Sequence, residues 1–350
     1  MKISLLTIWH EKNYGAEMQA YATVKILQEL GHTVELINFR LHDLKPKSIK
    51  SLIKNLITFC TPEDIKFQQF WAKYIPTTKR YKTIKSLYEN PPEADLYLIG
   101  SDQVWNPEIT KQAASLFFLD FGNSKIPRVS YASSFGVSSL ASNLTTMQYV
   151  CSLLPKYKAI SCREESGVVL LQNECNLNAV RVIDPTLLFN GYPELIGIPA
   201  QLRTLVYYPL SPYLELENFS QDLAKELDLQ YINTNYKQYI VGSIVWNRPS
   251  IKQWIKNIAD GALVVTPSFH GVAFSLIYRR QFIVIIKDKS RSSRITDLLS
   301  ELGLSERCFF DIQDAKKSRI WEKTIDYSAV DTKLSALRSH SIHYLKEVLK

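Results

Sequence analysis

The segment Ala262–Lys287 limits the possible folds of this chain more than any other. Ala262 to Thr266 is a short apolar, β-branched run of the kind that fills a buried parallel strand, and Pro267 to His270 interrupts it. From Gly271 the spacing of Val272, Leu276 and Arg279 is helical, and Phe282 to Ile286 is a second buried-strand run. The pattern predicts a strand, a loop, a helix and a second strand. In open α/β sheets ligands bind beyond the carboxyl ends of the strands, so the loop Thr266-Pro267-Ser268-Phe269-His270 falls where a site is expected. A helix opening at Gly271 would present the N–H groups of Gly271 and Val272 and the positive end of its dipole to an anion, with Ser268 beside them. His270 then stands at the mouth of an anion seat. Chemistry alone leaves it equally readable as an acid/base group or as a quiet packing residue.

The same unit recurs along the chain. At 350 residues two domains are expected, at about 150 residues each. Ile3 to Trp9 reads as a buried strand, Ala16 to Leu30 as a helix stopped by Gly31, and Thr33 to Ile37 as the next strand. The loop between the first strand and its helix ends in Asn13-Tyr14-Gly15, where Asn13 and Gly15 also suit a plain helix cap. It lacks the G-x-G-x-x-G fingerprint, which argues against a nicotinamide or flavin cofactor. Asp95 to Ile99 is a strand delivering Gly100-Ser101-Asp102-Gln103-Val104-Trp105-Asn106-Pro107, richer in hydrogen-bonding groups than a turn alone requires. Val129 to Ser133, Ile160 to Ser166 with Arg163, and Val182 to Leu188 with Asp184 repeat the scheme of strand followed by small and polar residues. Gly191, Pro193, Gly197 and Pro199 mark a boundary. The expected organisation is a first Rossmann-like domain over 1–190, with a basic helical insert at about 41–90, a second over 200–333, and a terminal helix at 334–350.

Five blocks, N-Y-G-A-E-M-Q-A-Y-A, G-S-D-Q-V-W-N-P, V-S-Y-A-S with F-G, the passage through C-R-E-E-S, and V-I-D-P-T-L-L, together with S-F-H-G-V-A-F-S, resemble the polysaccharide pyruvyltransferase family. The resemblance spans most of residues 3 to 307. It implies two doubly wound α/β domains facing a cleft in a GT-B-like arrangement. It also implies transfer of the enolpyruvyl unit of phosphoenolpyruvate onto a sugar diol, giving a pyruvate ketal and phosphate. Phosphoenolpyruvate is then a co-substrate and no cofactor is expected. Such chemistry needs an acid/base group and donors for a carboxylate and a phosphate. His270 and Asp102 are the catalytic candidates. Ser268, Gly271, Arg291 and Arg294 are those for the donor, the two arginines offering a bidentate clamp. Asn13, Tyr14, Gly15, Ser101, Gln103, Arg163 and Asp184 are those for the acceptor, although Asp184 reads equally as a cap before Pro185. Many members carry Arg immediately before or two before the histidine, where this chain has Ser268-Phe269, so the basic residue that holds the donor stays open.

Two rival classes share the expected scaffold: a glycosyltransferase using a nucleotide-sugar donor, and a non-catalytic glycan-binding protein. Nucleic-acid binding lacks a motif, and no metal-ligand spacing is present among the six scattered histidines. The five cysteines contain no C-x-x-C pair and read as core thiols of a cytoplasmic protein. The net charge of +8 is concentrated between Arg40 and Lys85, where eleven Lys or Arg face three Asp or Glu. Within it, Leu44 to Cys60 has an apolar helical face of Ile49, Leu52, Ile53, Leu56 and Ile57 and lysines at 45, 47, 50 and 54. That pattern fits either a surface helix packed on its own domain or one docking at the inner face of an anionic membrane, where a lipid-linked oligosaccharide acceptor would be presented.

Overall fold

The computed structural model describes residues 1–11, 13–44, 62–137, 139–140, 143–234, 236–240, 243–289 and 292–350, without the side chains of 62–64, 236–240 and 243–247. Arg291 and nearly all of the segment from Leu44 to Cys60 lie outside the described residues. The chain divides into two units: Met1–Phe59, Gln69–Phe189 and Ala336–Lys350 form the first, and Cys60–Gln68 and Asn190–Ser335 the second.

In the first unit β1 (Lys2–Leu6) is central, and Ile3, Ser4, Leu5 and Leu6 are all fully buried. A strand apolar on both faces must be covered on both, which is the condition of a parallel sheet flanked by helices. β2 (Thr33–Phe39), β3 (Thr77–Tyr81), β4 (Leu96–Ile99) and β5 (Arg128–Ser130) complete a sheet in the order β3-β2-β1-β4-β5, every pair parallel. β6 (Ser161–Cys162) and β7 (Val180–Arg181) form a parallel pair beside β5, joined to that edge by bridges Val129 to Ala159 and Ser133 to Cys162. The order reverses between β1 and β4, so the crevice of this sheet opens between the loops that follow those two strands. Helix α1 (Tyr14–Glu29) is buried on nearly all sides from Tyr14 to Leu27.

Three expectations need correction here. The stretch 41–90 holds helix α2 (Pro62–Tyr74) but is not purely helical, because β3 within it adds to the main sheet through Asn38 to Arg80 and Phe39 to Tyr81. Thr77-Thr78-Lys79-Arg80-Tyr81 is an edge strand with one buried residue, so it carries no buried-strand signature. The terminal helix begins at Tyr327 and runs to Val348, and its residues from Ala336 onward belong to the first unit. Cys151 and Cys175 are not core thiols. They lie at the ends of helices α3 (Leu144–Leu153) and α4 (Glu165–Cys175), with Cα atoms 5.5 Å apart, and form a disulfide.

In the second unit β8 (Thr204–Tyr207), β9 (Gln230–Asn233), β12 (Leu263–Thr266), β13 (Gln281–Ile285) and β14 (Cys308–Phe309) build a parallel sheet in the order β14-β13-β12-β8-β9. β8 and β12 are buried at every position, and the order reverses between them. β10 (Tyr236–Ile240) and β11 (Ser243–Asn247) form a separate antiparallel pair. Helix α5 (Leu214–Glu226) turns Leu216, Phe219 and Leu223 onto the sheet, and α6 (Ile251–Asp260) buries Trp254, Ile255 and Ile258. Helix α7 (Phe269–Ile277) follows β12, α8 (Ser293–Leu302) follows β13, and α9 is the terminal helix Tyr327–Val348.

Candidate active site

The polar loops gather at the carboxyl edge of each sheet, and each edge is built in its own unit. In the first, Thr7 at the end of β1 donates from Oγ1 to the Ser101 carbonyl at 2.8 Å, tying together the two loops that bracket the crevice. Gln19, one turn into α1, donates to Thr7 Oγ1, the Ile8 carbonyl and the Ala16 carbonyl at 3.0, 2.9 and 2.9 Å. Asn13 is the N-cap of α1, its Oδ1 accepting the Gly15 amide at 3.0 Å, while Tyr14 and Gly15 are buried within the first turn.

Glu17, also in that first turn, is fully buried. Its carboxyl oxygens accept the His10 amide at 3.2 Å, the Glu11 amide at 3.1 Å and the Trp71 indole N–H at 2.6 Å. Burial drives its pKa up to about 8 against those three donors. The two loop amides are therefore held by one side chain, and His10 is fixed at a φ of 62°, in the left-handed region that costs a residue with a Cβ about 1–2 kcal/mol. The His10 ring lies over Trp71 with centroids 3.5 Å apart. Burial, then the charge of Arg40, lowers the imidazole to about 2, so it is neutral across the working range.

Beside this loop lies a buried ion cluster. Arg163, 3% exposed, donates from Nη1 to Asp184 Oδ2 at 2.6 Å, and its Nη2 and Nε stand 3.4 and 3.8 Å from Asp102 and Glu164. Burial works against the guanidinium charge, yet Asp184, Asp102 and Glu164 together outweigh it and hold the pKa above its ordinary value. Asp184 is enclosed as the N-cap of the short helix Pro185–Leu188 and accepts from the Thr186 amide, the Thr186 hydroxyl and the Ser101 hydroxyl at 2.9, 2.6 and 3.0 Å. Glu164 accepts from Ser134 Oγ at 2.5 Å. Asp102, with 16% of its side chain exposed, is the carboxylate of this cluster that reaches the surface. Its φ of 74° is left-handed, and its carbonyl accepts the Val104 and Ser134 amides at 2.8 and 3.0 Å. Gln103 accepts from Asn106 Nδ2 at 2.6 Å, and a Cβ on Gly136 would stand 2.5 Å from the same Gln103 oxygen. The first edge thus brings Ser101, Asp102, Arg163 and Asp184 into one contact network. Ser134 and Glu164 join that network, while Glu17 and Gln19 hold the neighbouring loop after β1; none of the four was a site candidate from the sequence.

In the second unit β12 ends at Thr266, whose hydroxyl donates to the Tyr208 carbonyl at 2.7 Å and accepts the Ser268 amide at 3.0 Å. The two loops at the strand-order reversal are linked by that one side chain. Helix α7 begins at Phe269, two residues before the position expected from the glycine, with Ser268 as its N-cap. The Gly271 amide goes to Ser268 Oγ at 3.5 Å and the Val272 amide to the Ser268 carbonyl at 3.1 Å. Gly271 and Val272 therefore do not present free donors to an anion. Gly271 serves close packing instead, since a Cβ there would meet Thr266 Oγ1, Cγ2 and Cβ at 2.5, 2.7 and 2.9 Å. His270 is 7% exposed on that first turn. The Tyr208 phenol is pushed up by burial, while a hydrogen bond with Ser268 and the charge of Arg248 act the other way. This brings Tyr208 and Arg248, neither singled out by the sequence, into the His270 loop. Arg294, half-buried, occupies the first turn of α8, which packs on α7 and leaves from the same sheet edge. Among the described residues no group of three or more His, Cys, Asp or Glu is arranged to hold a metal ion, and no helix is long and apolar enough to cross a membrane.

Two units, each a doubly wound parallel sheet with its polar loops at the carboxyl edge, define an α/β protein with a GT-B-like fold. The chain is similar to the UDP-GlcNAc 2-epimerase of Methanocaldococcus jannaschii, at 11% identity and a TM-score of 0.54, covering 93% of each chain. It is similar to the UDP-GlcNAc 2-epimerase of Neisseria meningitidis bound to UDP-GlcNAc, at 10% identity and a TM-score of 0.53 over 100% of this chain and 99% of that one. An alpha-glucosyltransferase in complex with UDP matches over 100% of both chains at 11% identity and a TM-score of 0.51. Identities this low carry the fold and nothing of the chemistry. The polysaccharide pyruvyl transferase profile matches residues 13–288, and the chain belongs to that family; it is a transferase. No curated protein sequence matches it.

Proposed function

We propose that this enzyme moves the enolpyruvyl unit of phosphoenolpyruvate onto two hydroxyls of a sugar in a cell-surface polysaccharide or its lipid-linked precursor. The observation that carries the reading is His270, on the opening turn of α7 at the strand-order reversal of the second sheet, inside the stretch that matches the family. In the reaction C3 of phosphoenolpyruvate gains a proton, one sugar oxygen bonds to C2, and the second displaces phosphate from the same carbon. The two hydroxyl protons end on C3 and on the departing phosphate, so the products are the ketal and inorganic phosphate. His270 supplies and retrieves the proton. The amino end of α7 and Arg294 meet the carboxylate and phosphate of the donor, and Arg291 is kept as a candidate beside them. Asp102 receives the acceptor hydroxyl proton, and Asn13 and Gln103 line its approach, with Tyr14, Gly15, Ser101, Arg163 and Asp184 shaping the loops behind them. The basic stretch between Arg40 and Lys85 suits an acceptor carried on an anionic membrane.

Phosphate release from phosphoenolpyruvate tests this, measured with a panel of methyl hexopyranosides bearing free diols. His270→Gln is expected to lower the rate at least about 100-fold, within the range that general acid/base groups contribute, while the melting temperature stays close to wild type. A His270→Gln rate within a few-fold of wild type would remove the acid/base role. Consumption of a UDP-sugar in place of phosphoenolpyruvate would assign the chain to nucleotide-sugar chemistry instead.

A further inference from the structure

His10 combines four features that the donor chemistry leaves unused. It stands four residues past the end of β1, on one of the two loops that bracket the crevice of the first sheet. Its backbone is left-handed at 62°, uncommon for a residue with a Cβ, and Glu17 holds it there by gripping the His10 and Glu11 amides. The faces of its ring are occupied: Trp71 lies at 3.5 Å between centroids, Trp9 stands edge-on at 5.4 Å and the His42 ring is tilted at 5.6 Å. No described residue occupies its edge: neither ring nitrogen is hydrogen-bonded by one, and neither is among the polar atoms sealed from solvent. Trp9 Nε1, fully enclosed in the same cluster, also has no hydrogen-bond partner among the described residues.

A packing residue does not require a strained backbone, a buried carboxyl group to maintain it and a polar edge left open. A residue that presents a hydrogen-bonding edge to a ligand does. The geometry points to His10 as a binding residue for a hydroxyl of a saccharide, with the imidazole nitrogen as acceptor and the Trp9–Trp71 cluster as its rigid backing. The neutral state imposed by burial and Arg40 keeps one nitrogen unprotonated, as an acceptor requires. A carbohydrate suits the position because its hydroxyls are neutral donors. To an anionic ligand the neutral ring offers one N–H and no charge. This inference rests on the proposed reaction only in taking that saccharide to be the diol acceptor.

The two tryptophans supply a readout independent of turnover. Titration with methyl β-D-galactopyranoside, methyl β-D-glucopyranoside and methyl α-D-mannopyranoside is expected to change the intrinsic fluorescence of the wild type with at least one of them. His10→Phe keeps the ring on Trp71 and removes both nitrogens, so it should weaken that saccharide at least about ten-fold, the loss of one well-made hydrogen bond in a site built for it. His10→Gly relieves the backbone and should lose the saccharide equally, which covers the case in which His10→Phe does not fold. In turnover the acceptor KM should rise by the same factor, with KM for phosphoenolpyruvate unchanged. No fluorescence response by wild type to any of the three, or wild-type affinity in either variant, would overturn the assignment. Saccharide binding that depends on His10 without phosphate release from phosphoenolpyruvate would refute the proposed reaction and leave this site standing.

Discussion

Replacing Arg163 by Met should destabilise the first unit more than any other single change at its sheet edge. The side chain is 3% exposed and stands against three carboxylates, at 2.6 Å from Asp184, 3.4 Å from Asp102 and 3.8 Å from Glu164. Methionine fills a similar volume, so the loss is electrostatic. Asp184 keeps three donors from Ser101 and Thr186, and Glu164 keeps Ser134, but the positive charge among the carboxylates is gone. Removing one partner of a buried pair costs about 3–5 kcal/mol because the other charge remains buried. A domain of this size loses about 2–4 °C of Tm per kcal/mol, so its transition should fall by about 6–20 °C. Differential scanning calorimetry at neutral pH measures this. Asp102→Asn, at a longer distance and partly exposed, should cost under about 1 kcal/mol. Combining Arg163→Met with Asp184→Asn should recover part of the loss, since the uncompensated charge goes with the aspartate. A Tm for Arg163→Met within about 1 °C of wild type, or strict additivity in the double variant, would refute the view that these carboxylates are held by that one guanidinium.

Two further outcomes are expected. The Glu17 carboxyl titrates near 8 in the folded protein, above its ordinary 4.5. The folded state therefore binds more protons than the unfolded one between those values, and stability should fall as pH rises from about 4.5 to about 8. Thermal melts over that range should show this slope in wild type and its loss in Glu17→Gln; equal slopes would exclude Glu17 as the source. Gly271→Ala drives a methyl into Thr266, which cannot retreat because its hydroxyl is bonded to Tyr208 and Ser268. A loss of about 1–3 kcal/mol by chemical denaturation and a drop in turnover are expected, and a neutral Gly271→Ala would show that α7 has room to shift.

The buried strands were legible because a run such as Leu263-Val264-Val265-Thr266 has no other use than to be covered on both faces. β3 was not, since an edge strand needs no apolar signature and Thr77-Thr78-Lys79-Arg80 has none. The start of α7 was misplaced by two residues because the glycine suggested an opening, whereas the serine hydroxyl makes the cap and the glycine answers a steric demand from Thr266. Glu17 looked like any acidic residue in a first helical turn. Its burial and its grip on two loop amides depend on Trp71, which is 54 positions away. The Arg163 cluster draws on four separate loops, and the disulfide joins cysteines 24 positions apart, neither of which leaves a periodic trace.

The first unit is closed by a segment that follows the entire second unit in sequence. Tyr344 donates to the Ser130 carbonyl, Ser341 accepts the Ile183 amide and Arg338 donates to the Leu187 carbonyl, all from residues of α9 that belong to that unit. A ribosome delivers residues 190–335 before it delivers 336–350. The unit whose synthesis starts first is thus the one completed last, and its Ile183 amide waits for the Ser341 hydroxyl while the second unit is already free to fold. Order of synthesis and order of completion run in opposite directions along this chain.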